Sequence, residues 1–260
     1  MTELTLKQTS RKSRDLNREA SYLFDNFTDR IIGVGTLGNV LPVSTDTATN
    51  CIRTPQSTLY CTNIATQTLL CPTNAATGLD IAGDQTASDG FEINFQEPGQ
   101  TDARFLFTIG SEPVGFFMEA LVTVADVSGA AELLFGFRKN ATVEAARATY
   151  TDYALIGLIR SDIEIATDLD NAGETLTDTT MDASDTIQCK FRIEVDSDGN
   201  VTYKVANTAA LVASGAITPT VSADYTFNSG DVVVPCIRLI QHADLTGTCV
   251  INSLEIGYLN

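Results

Sequence analysis

At 260 residues with 43% hydrophobic content, the chain can bury a core without disulfides or metals, as one domain or two. Its net charge of −17 repels phosphate backbones, which argues against a nucleic-acid reader, and it favours solubility at high concentration. No stretch approaches the roughly 20 apolar residues that span a bilayer, so no membrane role is expected.

Residues 1–21 are polar and charged, without glycine, proline or clear periodicity. Residues 1–20 hold five basic and three acidic side chains, whereas the remaining 240 hold 11 basic and 30 acidic. This opening segment reads as an extended N-terminal arm ordered by a neighbour, with Lys7, Arg11, Lys12, Arg14 and Arg18 as its partner-binding residues. Residues 22–260 then form the folded body. No apolar core follows the basic side chains, and the run Ile31 to Val43 is broken by Gly33, Gly35 and Gly38, so no signal peptide is expected. Leu23, Phe24 and Phe27 are the first plausible core anchors.

Residues 44–90 are rich in Thr, Asn, Ala, Gln and Ser. Thr58-Leu-Tyr-Cys-Thr-Asn63 is echoed by Thr68-Leu-Leu-Cys-Pro-Thr-Asn74, which reads as a pair of short strands or a hairpin, since two copies are too few for a solenoid. From Phe91 the strand signal is strong. Ile187, Cys189, Phe191, Ile193 and Val195 alternate with Gln188, Lys190, Arg192 and Glu194, the period of a strand with one buried face. Asp196-Ser-Asp-Gly-Asn200 supplies turn chemistry, and Val201, Tyr203 and Val205 resume the alternation, so a hairpin is expected. Further strands are expected at Arg104–Ile109, Phe116–Val124, Leu133–Arg138, Tyr153–Arg160, Ile163–Thr167, Tyr225–Asn228, Val232–Ile240 and Cys249–Tyr258. Pro235 cannot donate to a ladder and marks an edge or a bulge. The one helical-looking piece is Asn140–Tyr150, with Asn140 as its cap. So many strands with so little helix predict an all-β sandwich or barrel.

The residues are poor in catalytic equipment. His242 is the single histidine and falls in an inter-strand loop. Asp162 and Glu164 lie on one face of a strand, which is the arrangement a glycosidase would use and also that of any polar strand face. Asp168-Leu-Asp-Asn-Ala-Gly-Glu174 begins like a calcium loop but has Ala172 at the fifth position and Thr179 where a bidentate Glu belongs, so Asp168 and Asp170 are calcium candidates within a turn. No enzyme activity and no resident cofactor or metal are expected, with calcium as the one exception to be tested. The six cysteines show no zinc spacing, and Cys189, Cys236 and Cys249 read as buried thiols.

From about Phe91 to Tyr258 the sequence resembles the concanavalin A-like (laminin G-like) jelly-roll domains of tailed-phage virion proteins. The matching landmarks are Phe116-Phe-Met-Glu-Ala120, Val122-Thr-Val-Ala-Asp126 and Leu133-Leu-Phe-Gly-Phe-Arg138, then Phe191-Arg-Ile-Glu-Val195 and Gly199-Asn-Val-Thr-Tyr-Lys204. Tyr225-Thr-Phe227, Val233-Val-Pro235 and Leu254-Glu-Ile-Gly257 complete them. The resemblance implies an antiparallel two-sheet jelly-roll sandwich. It also implies a virion protein assembled in the host cytoplasm, either a capsid decoration (cement) protein or a fibre or host-recognition carbohydrate-binding module. The major capsid protein or other virion subunits would be its partners, and a homo-oligomer is expected. Glucanases of this fold carry a Glu-x-Asp-x-Glu strand, whereas here Arg160 stands at the first of those positions, which removes the nucleophile.

If all six thiols are reduced, a reducing agent will leave the denaturant midpoint of unfolding unchanged. A native disulfide would instead contribute about 2–4 kcal/mol and move it.

Overall fold

Cys189, Phe191, Ile193 and Val195 are all buried in the computed structural model, while the residues between them are half-exposed. The structure describes residues 23–25, 49–53, 58–64, 73–75, 77–81, 90–95, 105–215, 218–219, 224–242 and 247–259. The opening strands are β1 (Leu23–Asp25), β2 (Thr49–Arg53), β3 (Thr58–Asn63), β4 (Thr73–Ala75) and β5 (Gly78–Asp80). After them come β6 (Gly90–Asn94), β7 (Phe107–Thr108), β8 (Phe116–Val124) and β9 (Ala130–Lys139). The middle of the chain forms β10 (Tyr153–Ile159), β11 (Asp162–Asp168), β12 (Thr175–Asp182), β13 (Gln188–Val195) and β14 (Val201–Ala206). A short helix α1 (Ala209–Ser214) precedes β15 (Thr218–Pro219), β16 (Val232–Gln241) and β17 (Cys249–Tyr258).

These strands make two antiparallel sheets, as expected for the jelly-roll sandwich. The first runs β15-β14-β13-β8-β17-β5-β4, with β1 also on β17. The second runs β12-β11-β10-β9-β16-β6-β3-β2, with β7 also on β16. Their inner faces are apolar and aromatic. Phe135 of β9 stacks on Phe191 of β13 at 5.7 Å, and Phe107 of β7 stacks on Phe116 of β8 at 4.2 Å, so aromatic pairs bridge the sheets at two places. Each strand feeds this layer by alternation, which leaves a second, outward face on each sheet.

The hairpin at 187–205 forms in the expected register, with Val195 opposite Val201. Asp196 Oδ1 accepts the backbone N–H groups of Asp198 and Asn200, both at 2.9 Å, and Gly199 takes φ +92°, a region open to glycine. On the outward face of the first sheet the intervening charges pair across strands. Glu119 binds Lys190 and Arg192, and Glu194 binds Arg192 and Lys204.

Several expectations are corrected. Pro235 is not at an edge: β16 lies between β9 and the β6–β7 side. It falls where β7, paired to Val232 and Val233, gives way to β6, paired from Cys236 onward, so the missing N–H sits at a seam. Of the two readings of the echo the hairpin fails: β3, which spans the first copy, joins β2 and β6 in one sheet, while β4, which holds Thr73 and Asn74 of the second, is a short strand on β5 in the other. Residues 140–150 are not an α-helix and contain a single 3-10 turn at Arg147–Thr149. The helix forms instead at Ala209–Ser214, where Thr208 accepts the Leu211 N–H and Gly215 closes the end at φ +70°. Tyr225–Asn228 shrinks to one bridge between Asn200 and Thr226. The edge strand β12, unforeseen, is Thr- and Asp-rich and has little apolar alternation to show. Phe27 and Cys71 lie outside the described residues. Among the described residues, no helix is long and apolar enough to cross a membrane.

Cys189, Cys236 and Cys249 are buried free thiols, and Cys61 is buried as well. Cys189 is 2% exposed, and burial pushes its thiol up to about 11, so it is a packing residue rather than a nucleophile. Cys189→Ser is expected to cost about 1–3 kcal/mol, read from the denaturant midpoint, because a hydroxyl would be buried among apolar side chains. A loss below that range would mean that the inner face of β13 is not sealed.

Candidate functional site

The outward face of the second sheet is where the sequence places unexpected charge. Strand register sets Thr62, Glu92, Arg238, Leu134, Gly157, Glu164 and Asp178 in one transverse row. A parallel row holds Val234, Arg138, Tyr153 and Asp168. Glu92, Arg138 and Arg238 are completely buried, and the two arginines are the largest fully buried side chains among the described residues.

Their geometry is that of a shared carboxylate. Arg138 Nε donates to Glu92 Oε1 at 2.9 Å, and Arg238 Nη1 to Glu92 Oε2 at 3.2 Å. Arg238 Nε reaches Glu132 Oε1 at 3.0 Å, and Glu132 in turn pairs with Arg147. Arg147 also grips Glu174 bidentately, at 2.5 and 2.9 Å, and Tyr153 donates to Glu174 at 2.7 Å. Burial alone would raise the Glu92 carboxyl, but Arg138 and Arg238 outweigh it and hold it below the usual carboxylate range. Burial likewise opposes the charge on Arg138, and Glu92 outweighs it and holds the guanidinium protonated.

Residues 140–152 cover this face. Arg138 Nη1 donates to the carbonyls of Lys139 and Ala141, and Arg238 donates to those of Glu144 and Ala145, all between 2.9 and 3.0 Å. These carbonyls are thereby taken from a helix, which is why the alanine-rich run does not coil. Tyr150 lies against both guanidinium groups, at 4.7 Å from Arg138 and 5.6 Å from Arg238, and its hydroxyl donates to Glu92 at 2.7 Å.

At one end of the sandwich the same segment meets a ring of polar loops. Lys139 Nζ lies 3.1 Å from Asp152 and 2.7 Å from Asp231. Asp152 Oδ1 accepts the Asp170 N–H at 3.0 Å, and Asn228 Nδ2 donates to Asp170 Oδ1 at 3.0 Å. Asp168 Oδ1 accepts the Gly173 N–H at 3.3 Å, whereas its buried Oδ2 has no hydrogen-bond partner. Calcium takes six to eight oxygens. Asp168 and Asp170 are not brought together with a third acid to hold one, and among the described residues no three His, Cys, Asp or Glu side chains gather for a metal. The loop is closed by its own hydrogen bonds, with Asp170 and Asn171 at φ +55° and +57°. As it stands it does not fit a calcium ion.

Asp162 and Glu164 do share the outward face of β11, opposite Asp182 and Asp178 of β12. Burial, with Asp162 and Asp178, raises the Glu164 carboxyl. Arg160, in the left-handed region at φ +59°, lies beside His242, its Nη2 3.0 Å from the imidazole Nε2, so no carboxylate occupies the first position of the glucanase strand. The arm residues Lys7, Arg11, Lys12, Arg14 and Arg18 lie outside the described residues. The buried Arg–Glu network was not anticipated from sequence; its trace was the placement of Glu92, Arg138 and Arg238 inside otherwise apolar strands.

No protein-family model and no curated protein matches the chain. Among solved structures, it is similar to the carbohydrate recognition domain of Emp47p, with a TM-score of 0.55 and 10% identity over 95% of this chain and 99% of that one. It is also similar to a Shewanella oneidensis MR-1 protein of unknown function, with a TM-score of 0.52 and 12% identity over 99% and 94%. A third is the exoplasmic/lumenal domain of VIP36 in its Ca2+/Man3GlcNAc-bound form, with a TM-score of 0.50 and 11% identity over 78% and 83%. At such identities the likeness shows the fold: a concanavalin A-like, legume-lectin-like sandwich.

Glu92 has a folded-state pKa below its unfolded value, so the stability it contributes is present above about pH 4.3 and is lost as pH falls through the folded value. Glu92→Ala strands two buried guanidinium groups and is expected to cost about 3–5 kcal/mol at pH 7, with the loss relative to wild type shrinking toward pH 3. Urea titrations at the two pH values check this.

Proposed function

We propose that this chain is a non-enzymatic carbohydrate-binding module that takes its glycan at the loop end built from Asp152, Asp168, Asp170, Asn171 and Asn228. The observation that carries the reading is the chain of hydrogen bonds that fixes Asp152, Asp170 and Asn228 to one another, with Asp168 held beside them by the Gly173 N–H, at the end of a lectin-like sandwich. Sugar hydroxyls are recognised by carboxylate and amide groups held in place beforehand, since ordering them on binding would cost affinity. Asp170, Asn171 and Asn228 are exposed, so their remaining acceptors and donors face solvent. The likeness to a carbohydrate recognition domain supports the same reading.

The setting we propose is a phage particle, where the module would serve in a fibre or in host recognition; this part rests on the resemblance of residues 91–258. The competing reading is a capsid decoration protein held to the major capsid protein by its arm. It is favoured by the contrast between a basic opening segment and an acidic body. Basic side chains on such an arm pair with acidic partners and become ordered only on binding.

A glycan array probed with the full chain is expected to show binding that persists in a chelator and falls at least about tenfold in Asp170→Ala, the loss expected when one well-placed polar contact is removed. No binding to any glycan would overturn the reading. Quantitative mass spectrometry of particles separates the two settings. A recognition module should be present in few copies, and a decoration protein in numbers comparable to the capsid subunit. Loss of particle binding on deletion of residues 1–21 would support decoration.

A further inference from the structure

We propose that residues 140–150 are a strap that opens as a unit, uncovering a charged groove on the outward face of the nine-stranded sheet. β9 and β10 are antiparallel neighbours with Arg138 opposite Tyr153, so a turn of roughly two to five residues would join them. The connection instead runs for 13 residues, from 140 to 152, back over the sheet. Connections of this length without regular structure are commonly lids or binding loops.

The strap is weakly anchored by apolar contact. Of residues 140–150 only Tyr150 is buried, and most of the others are exposed. What lies beneath is charged: Glu92, Glu132, Arg138 and Arg238, with Arg147 and Glu174 closing the rim. A permanent third layer is made most economically from apolar side chains, as the inter-sheet core is here. Charged groups behave differently, because the desolvation they suffer on closure is recovered as hydration on opening, which narrows the gap between the two states. The C-terminal root stays fixed, since Asp152 is held by Lys139 and by the Asp170 N–H. The Asp168–Glu174 loop links the groove to the loop end already described, since Glu174 closes the rim and Asp170 lies at that end.

The uncovered groove presents two guanidinium forks, two carboxylates and the Tyr153 ring, a set suited to a sugar bearing hydroxyl and carboxylate groups. That ligand class rests on the carbohydrate reading, whereas strap opening does not.

Hydrogen exchange of the full chain tests the opening. The amides of Glu144, Thr149 and Tyr150 each have an acceptor within the strap, so they exchange together when it leaves the sheet by cooperative local unfolding, which breaks these bonds at once. They are expected to share one protection factor, at least about tenfold below that of the β9–β10 ladder. Tyr150→Phe removes the hydroxyl that joins Glu144 to Glu92 and is expected to lower that factor about fivefold or more, the worth of one hydrogen bond, without changing the ladder. Strap amides that exchange only with the ladder, or with unrelated factors, would overturn the proposal. For the groove, Arg147→Ala releases the rim and should tighten the apparent Kd for a carboxylated glycan found on the array, because less of the protein is held closed. An unchanged Kd would remove the groove from the glycan's path. Fast, concerted strap exchange with no glycan bound by either protein would sink the carbohydrate reading and leave the strap standing.

Discussion

Glu92 is the residue on which the outward side of the nine-stranded sheet depends. Its carboxylate is divided between Arg138 of β9 and Arg238 of β16, with the Tyr150 hydroxyl completing its shell. Three fully buried charged side chains are stable only because each satisfies the others, and removing any one leaves an uncompensated charge in a low-dielectric setting. The remaining guanidinium donors then dictate the path of residues 140–150, since they need carbonyl acceptors and the strap provides them. A local choice of charged residues on three neighbouring strands thus determines the course of the 13-residue connection between β9 and β10.

The two faces of this sheet do different physical work. Inward, β9 and β13 pack Phe135 on Phe191, and the layer is closed to polar groups almost entirely. Outward, β9, β10, β11 and β16 carry ions, hydroxyls and a small second apolar cluster of Leu134, Tyr153, Leu155, Ala166 and Cys236, completed by Tyr150 of the covering segment. The inner face supplies most of the hydrophobic stabilisation. The outer face instead buries charged groups, which are stable there because they are paired and hydrogen-bonded to one another. The first sheet's outer face is different again: its Lys, Arg and Glu side chains form a half-exposed ladder, and such pairs contribute little individually.

The loop end gains its rigidity from Lys139. It draws Asp152 and Asp231 together, and Asp152 fixes the backbone of Asp170. One lysine thereby organises carboxylates that would otherwise repel one another. This arrangement directs the Asp168–Glu174 loop into a self-contained turn, with Glu174 committed to the Arg147 guanidinium rather than to a metal ion.

Much of the fold was readable in the residues themselves. The period-two alternation of 187–195, the Asp196–Asn200 turn and the boundaries of Phe116–Val124 and Cys249–Tyr258 follow from local chemistry, because a half-buried strand advertises its face every second residue. The capped helix at 209–214 was equally written in Thr208 and Gly215, which close its two ends. Other features depended on neighbours far along the chain. Pro235 is tolerated inside a sheet only because β6 and β7 end and begin beside it, and the β3 and β4 echoes part because different sheets receive them. The sequence alone therefore determined an acidic, all-β sandwich with an inward-facing Cys189. Tertiary structure alone decided that Glu92, Arg138 and Arg238, separated by 46 and 100 positions, meet under a strap: strand register is set by the whole sheet, and no local pattern records which strand lies next to which.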